Sequence, residues 1–84
     1  MIVYSEPCIT DGLRYVGTLI EKGALMGITS AKKCQKECFN AQSRGCKYFT
    51  YGNFIKGCYL FSDKGTAIKN QSKWKSGPAF CPGK

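Results

Sequence analysis

Eighty-four residues with six cysteines, no histidine and a formal charge of +8 form a chain in which an apolar core alone gives marginal stability. Such a cysteine density points to a disulfide scaffold folded in an oxidising compartment. No stretch approaches the roughly 20 apolar residues needed to cross a bilayer, so membrane insertion is not expected.

The opening MIVYSEPC lacks the basic region and apolar run of a secretion signal. Its SEPC reads as a linker remnant, and residues 1–84 as a single domain, core 8–81, excised from a longer multi-module secreted protein. Residues 12–28, GLRYVGTLIEKGALMGI, are apolar-rich and broken by Gly17, Gly23 and Gly27, which predicts two short strands around a turn at 21–23. The nearby charges Asp11, Arg14, Glu21 and Lys22 nearly cancel, so this segment is read as scaffold without a site.

The organising stretch is 30–61. Ser30 is a good helix N-cap, because its hydroxyl accepts a bond from a first-turn amide. Ala31, Cys34, Cys38 and Ala41 recur at helical steps, placing Cys34 and Cys38 one turn apart on one face. Gly45 breaks the pattern, and 46–51 is rich in the aromatic and β-branched residues of strands. Gly52 and Gly57 bracket a turn, and 58–61 reads as the returning strand, which sets Cys58 level with Tyr51. Cys38 then lies near Cys46, and Cys34 lies a turn back, toward Cys58. That geometry prefers Cys38–Cys46 nested within Cys34–Cys58, leaving Cys8 for Cys81, although spacing alone does not choose among the possible pairings.

Residues 62–72, SDKGTAIKNQS, read as a polar turn-forming loop. Asn70-Gln71-Ser72 is a glycosylation sequon, and such short motifs arise often by chance, so an unmodified loop is expected. Lys73-Trp74-Lys75 alternates charge and aromatic like a final strand with Trp74 inward, and Trp74 is read as core, since large aromatics dominate small cores. Pro78 ends the strand and Cys81 ties the tail back.

The excess charge is concentrated in two segments: Lys32, Lys33, Lys36, Arg44 and Lys47 around the helix, and Lys64, Lys69, Lys73 and Lys75 toward the C-terminus. Lys32 and Lys33 occupy a first turn whose dipole disfavours cations, and Lys32 and Lys36 repel at i,i+4. A solvated helix face carries lysines too. The sharper reading is a cationic stripe kept for a sulfated or acidic partner, with Lys32, Lys33, Lys36, Arg44, Lys47, Lys73 and Lys75 as candidate ligand-binding residues. A competing surface is an aromatic sugar-stacking site built from Trp74 or the hairpin tyrosines. No catalytic constellation is visible: there is no histidine base, no phosphate-binding loop and no carboxylate pattern. The missing histidine and missing CxxC spacing speak against a metal centre, no cofactor is implied, and secretion makes nucleic acid an improbable partner.

TSAKKCQKEC on a helix, GCKYFTY into a strand, GCYLF returning and a closing SGPAFC together resemble the PAN/apple domain from about Cys8 to Cys81. The resemblance implies an α+β fold, a curled antiparallel sheet crossed by one α-helix, with two disulfides tying helix to strands and a third joining the termini. Cys34–Cys58, Cys38–Cys46 and Cys8–Cys81 are the counterparts here. The KSGPAFC ending is most like the tandem apple modules of apicomplexan microneme adhesins. That implies a secreted adhesion module, beside neighbouring apple modules, that attaches to a protein or glycan on a host cell. A secreted single-domain inhibitor is the alternative that the same resemblance implies.

Overall fold

The computed structural model describes residues 8–81; of the SEPC stretch read as a linker remnant, 5–7 lie outside the described residues. In chain order the elements are β1 (Thr10–Asp11), β2 (Arg14–Val16), β3 (Leu25–Met26), α1 (Ala31–Asn40), β4 (Tyr48–Gly52), β5 (Gly57–Phe61), β6 (Thr66–Ile68) and β7 (Trp74–Pro78). Five strands form one antiparallel sheet in the order β1-β7-β4-β5-β3, and β2 pairs with β6 in a second, two-stranded sheet.

Helix α1 begins where the sequence places it. Ser30 is extended and its Oγ accepts from the Lys33 amide at 3.1 Å, satisfying one of the first-turn donors. The helix runs into a single 3-10 turn, Gln42–Arg44, closed by Gly45 at φ +98°, a left-handed conformation that glycine adopts without penalty. The Cys46 amide then bonds to the Ala41 carbonyl, so Cys46 still belongs to the helix-closing loop and β4 starts two residues later than its composition suggests, at Tyr48.

Register decides what each face of the large sheet carries. Tyr51 stands opposite Cys58 and Phe49 opposite Leu60, and side chains alternate along both strands. Phe49, Tyr51, Cys58 and Leu60 therefore meet α1 and form the core with Cys34, Cys38, Ala41, Cys46 and Ala79. Burying Phe49 and Leu60, both 0% exposed, contributes roughly 1.5–3 kcal/mol each. The alternate residues Tyr48, Thr50, Tyr59, Phe61, Trp74 and Ser76 lie on the other, outward face.

Three expectations are corrected here. The strands of 12–28 do not pair with each other: β2 joins β6 across the outward face, while β3 extends the large sheet beside β5. The segment 62–72 is not all loop, because β6 lies within it, with Ala67 opposite Tyr15. Trp74 is not in the core. Its register partner is Gly52, on the face away from α1, and its indole rests half-buried in the space that a side chain at 52 would fill. A Cβ at Gly52 would come within 2.7 Å of that ring.

The small sheet is held down by a buried polar chain. The Tyr15 amide donates to Thr50 Oγ1 at 3.0 Å, Thr50 Oγ1 and Ser76 Oγ share a hydrogen bond of 2.7 Å, and Ser76 Oγ donates to the Leu13 carbonyl at 2.6 Å. These bonds satisfy groups that would each cost about 1–3 kcal/mol if left without partners. The Tyr15 ring meets Tyr48 edge-on at 5.6 Å. Burial, with a smaller effect from Tyr48, raises the Tyr15 phenol above its ordinary value of 10.0.

Candidate functional site

Three disulfides close the fold: Cys34–Cys58 joins α1 to β5, Cys38–Cys46 joins α1 to the loop that follows it, and Cys8–Cys81 joins the two ends, with Cα separations of 5.4, 5.4 and 5.5 Å. No free cysteine is left, so no thiolate is offered to a metal or a substrate. Gln35 shares the buried side of α1, and its amide donates to the Pro78 carbonyl at 3.1 Å, fastening the C-terminal segment to the helix. With Cys34, Gln35 and Cys38 turned inward, helical periodicity turns Lys32, Lys33, Lys36, Glu37, Phe39 and Asn40 to solvent.

That exposed side is grooved. Lys32, Lys33, Lys36, Phe39 and Asn40, over Gln35, line an open depression of about 480 Å³. Phe39 is 47% exposed and meets Phe80, 46% exposed, edge-on at 6.0 Å. Lysine stems and a phenyl edge thus make an apolar floor beneath charged heads. A second depression, beside the helix N-terminus, is lined by Lys32 and Lys75 together with Asp11 and Ser30, so the two basic segments do meet there.

The seven candidate cations are not one cluster. Lys32, Lys33, Lys36 and Lys75 share the helix side, although the Lys75 ammonium lies 3.4 Å from the Asp11 carboxylate. Arg44 forms a surface ion pair with Glu21. Lys47 is exposed just before β4. Lys73 lies 5.3 Å from the Phe54 ring, beside Trp74 of the outward face.

The outward face gathers rings of the competing aromatic reading, Trp74 and the hairpin Tyr59, and adds Phe54. Trp74, Phe54 and Tyr59 form a run of rings, with Phe54 edge-on to Trp74 at 5.1 Å and Tyr59 tilted against it at 5.9 Å. Arg14 lies over the Trp74 ring at 5.1 Å, and Lys64 lies near the Tyr48 ring at 5.3 Å. Arg14 sits in a segment whose charges cancel along the chain. Only its pairing through β2 to the outward face brings it to Trp74, sixty positions later, and no local signal marks that.

A helix pinned by one buried disulfide to an antiparallel sheet and by another to its own closing loop, with a third joining the two ends of the domain and with its chemistry confined to surface cations and rings, defines a small disulfide-rich α+β binding module. The family model for the PAN domain matches residues 8–81, and the chain belongs to that family. No curated protein matches the chain. PAN domains are protein- or carbohydrate-binding adhesion modules and are not a catalytic family. A disulfide-rich PAN domain fits an extracellular or secreted protein. Among the described residues, no helix is long and apolar enough to cross a membrane.

Proposed function

We propose that this PAN domain is one module of a longer, multi-module secreted adhesin, of the apicomplexan microneme kind, that attaches to an acidic or sulfated partner on a host cell through the exposed side of α1. The observation that carries this reading is the exposed row Lys32, Lys33 and Lys36, which borders one depression with Phe39 and, through Lys32, a second with Lys75. Cations in a first turn and at i,i+4 oppose helix stability by a few tenths of a kcal/mol each, and an anionic partner offers a reason to keep them. A net charge of +8 on 84 residues stands at the upper end of what keeps a small domain soluble, and it favours any anionic partner. The KSGPAFC ending supports the microneme assignment.

A single module offering a few exposed lysines binds weakly, and repetition along one chain raises avidity through effective concentration. Heparin affinity chromatography across a salt gradient tests the site. Wild type should be retained and elute late, and Lys33→Glu with Lys36→Glu should elute near the void. Coincident elution of the two at low salt overturns the helix-face reading.

A further inference from the structure

We propose that Asn70 is a modification site, an acceptor for an N-linked glycan that stands at the rim of the outward face beside Lys73 and Trp74. The site is separate from the helix side, because Asn70 borders neither of the depressions there.

The triplet Asn70-Gln71-Ser72 arises often by chance, so the case rests on where the fold sets it. It occupies the link between β6, which ends at Ile68, and β7, which begins at Trp74. The backbone of Gln71 anchors that link. The Gln71 amide donates to the Gly12 carbonyl at 2.9 Å, and the Gln71 carbonyl accepts from the Trp74 amide at 2.9 Å. Gln71 is half-buried, whereas Asn70 and Ser72 on either side of it are exposed. The middle residue holds the turn in place, and the two residues that glycan transfer requires face solvent.

Neither exposed side chain is engaged elsewhere. Among the described residues, the Asn70 carboxamide and the Ser72 hydroxyl make no hydrogen bond. Asn70 has φ +62°, in the left-handed region that asparagine tolerates better than most residues, so the turn supplies one reason for an asparagine here. It supplies none for a hydroxyl two positions on. Serine in a turn is favoured when its hydroxyl bonds a nearby backbone group, and Ser72 makes no such bond among the described residues. Asn40 and Asn53 have no hydroxyl residue two positions on, so Asn70 alone has the required pattern.

There is room for the sugar. Asn70 lies between two open depressions, one of about 340 Å³ lined with Thr10, Gly12 and Lys69, the other of about 200 Å³ lined with Lys73 and Trp74. A first sugar on the carboxamide enters open space, and no core residue has to move. Disulfide formation already places the chain in an oxidising secretory route, where such transfer takes place. In the transfer, the Asn70 carboxamide nitrogen attacks the anomeric carbon of an oligosaccharide pyrophosphate donor. The new C–N bond forms as the C–O bond to pyrophosphate breaks. Pyrophosphate leaves with that electron pair, and the amide proton passes to a basic group of the transferase. The attached glycan is bulky and hydrophilic, and it shields the exposed Phe54 edge and Trp74 from association with other proteins.

The test is expression of the chain behind a secretion signal in a eukaryotic host that performs this transfer. Intact mass and peptide mapping are read on the total product, retained and secreted, so that a variant's folding does not decide the result. Wild type should carry a glycan that peptide N-glycosidase removes, converting Asn70 to aspartate. Asn70→Gln should abolish it. Ser72→Ala should lower occupancy to below about one-tenth of wild type, and Ser72→Thr should preserve it. Both Ser72 variants should melt with wild type after deglycosylation, because that side chain has no partner to lose. An unoccupied Asn70 in wild type, a glycan that survives Asn70→Gln, or full occupancy in Ser72→Ala would each overturn the proposal.

Discussion

Removing the Cys34–Cys58 bridge should unfold the domain, whereas removing Cys8–Cys81 should leave it folded and weakened. Loop entropy alone says the reverse. A crosslink spanning 24 residues contributes about 3.5 kcal/mol on the chain-entropy model, and one spanning 73 about 4.4 kcal/mol. Packing changes the order. Cys34 and Cys58 are both 0% exposed in the centre of the core, so replacing both with alanine deletes two buried sulfurs. At roughly 1 kcal/mol each for lost burial and cavity, the inner loss reaches about 5–6 kcal/mol. A chain of 84 residues, at roughly 0.05–0.15 kcal/mol per residue, has about 4–13 kcal/mol in all. The outer loss should stay near its loop value, because Cys8 and Cys81 lie outside the core cluster and add little lost burial, and other contacts keep both ends in place in the folded state. The Gly12 amide bonds to the Trp74 carbonyl at 2.8 Å, β1 pairs with β7, and Gln35 holds Pro78. Near-ultraviolet circular dichroism and non-reducing thermal melts of the two double-alanine variants decide it. A cooperative melt for Cys34→Ala/Cys58→Ala, with Cys8→Ala/Cys81→Ala unfolded, would refute the reasoning.

Further outcomes follow from the same geometry. Gly52→Ala drives a methyl into the Trp74 indole and should cost about 1–3 kcal/mol with a red-shifted tryptophan emission; an unchanged emission maximum would contradict the seating of Trp74 on Gly52. Thr50→Val removes the hydroxyl that links Tyr15, Ser76 and the small sheet, and should cost about 1–3 kcal/mol by chemical denaturation, with faster exchange of the Tyr15 amide. Tyr15, with its folded pKa raised by burial and then by Tyr48, contributes stability that is complete below its unfolded value of 10.0 and is lost as pH rises through the folded value. The assay is a Tyr15→Phe comparison: wild type should lose more stability than the variant as pH rises above about 10, and parallel curves would contradict the assignment.

The parts legible in the sequence are those set by residues close together in the chain. Ser30, the helical spacing of Cys34 and Cys38, and the glycines at 52 and 57 state α1 and the β4–β5 hairpin within one continuous stretch, and the register that sets Tyr51 beside Cys58 follows from the turn. The small sheet was not legible. Strands β2 and β6 are three residues each, too short for alternation to show, and their pairing joins segments about fifty positions apart. The polar composition of 62–72 describes its solvent exposure correctly and hides its backbone pairing. Trp74 was misplaced for a related reason: alternation marks it as facing away from Lys73 and Lys75, but not which face of the sheet is the core. The exposure of Lys32, Lys33 and Lys36 is legible because a helix displays its charges locally. The placement of Arg14 over Trp74 is tertiary and leaves no local mark in the sequence.

The helix-face reading is tested most directly by the salt dependence of binding to a heparin-derived oligosaccharide, measured calorimetrically for wild type and for Lys33→Glu with Lys36→Glu. Each lysine that engages the polyanion releases counterions, so log affinity should fall linearly with log salt. Removing two such lysines should flatten that slope by about two units while the melting temperature holds or rises slightly, because acidic residues suit the first helical turn. An unchanged slope in a folded double variant would contradict binding through the α1 lysines.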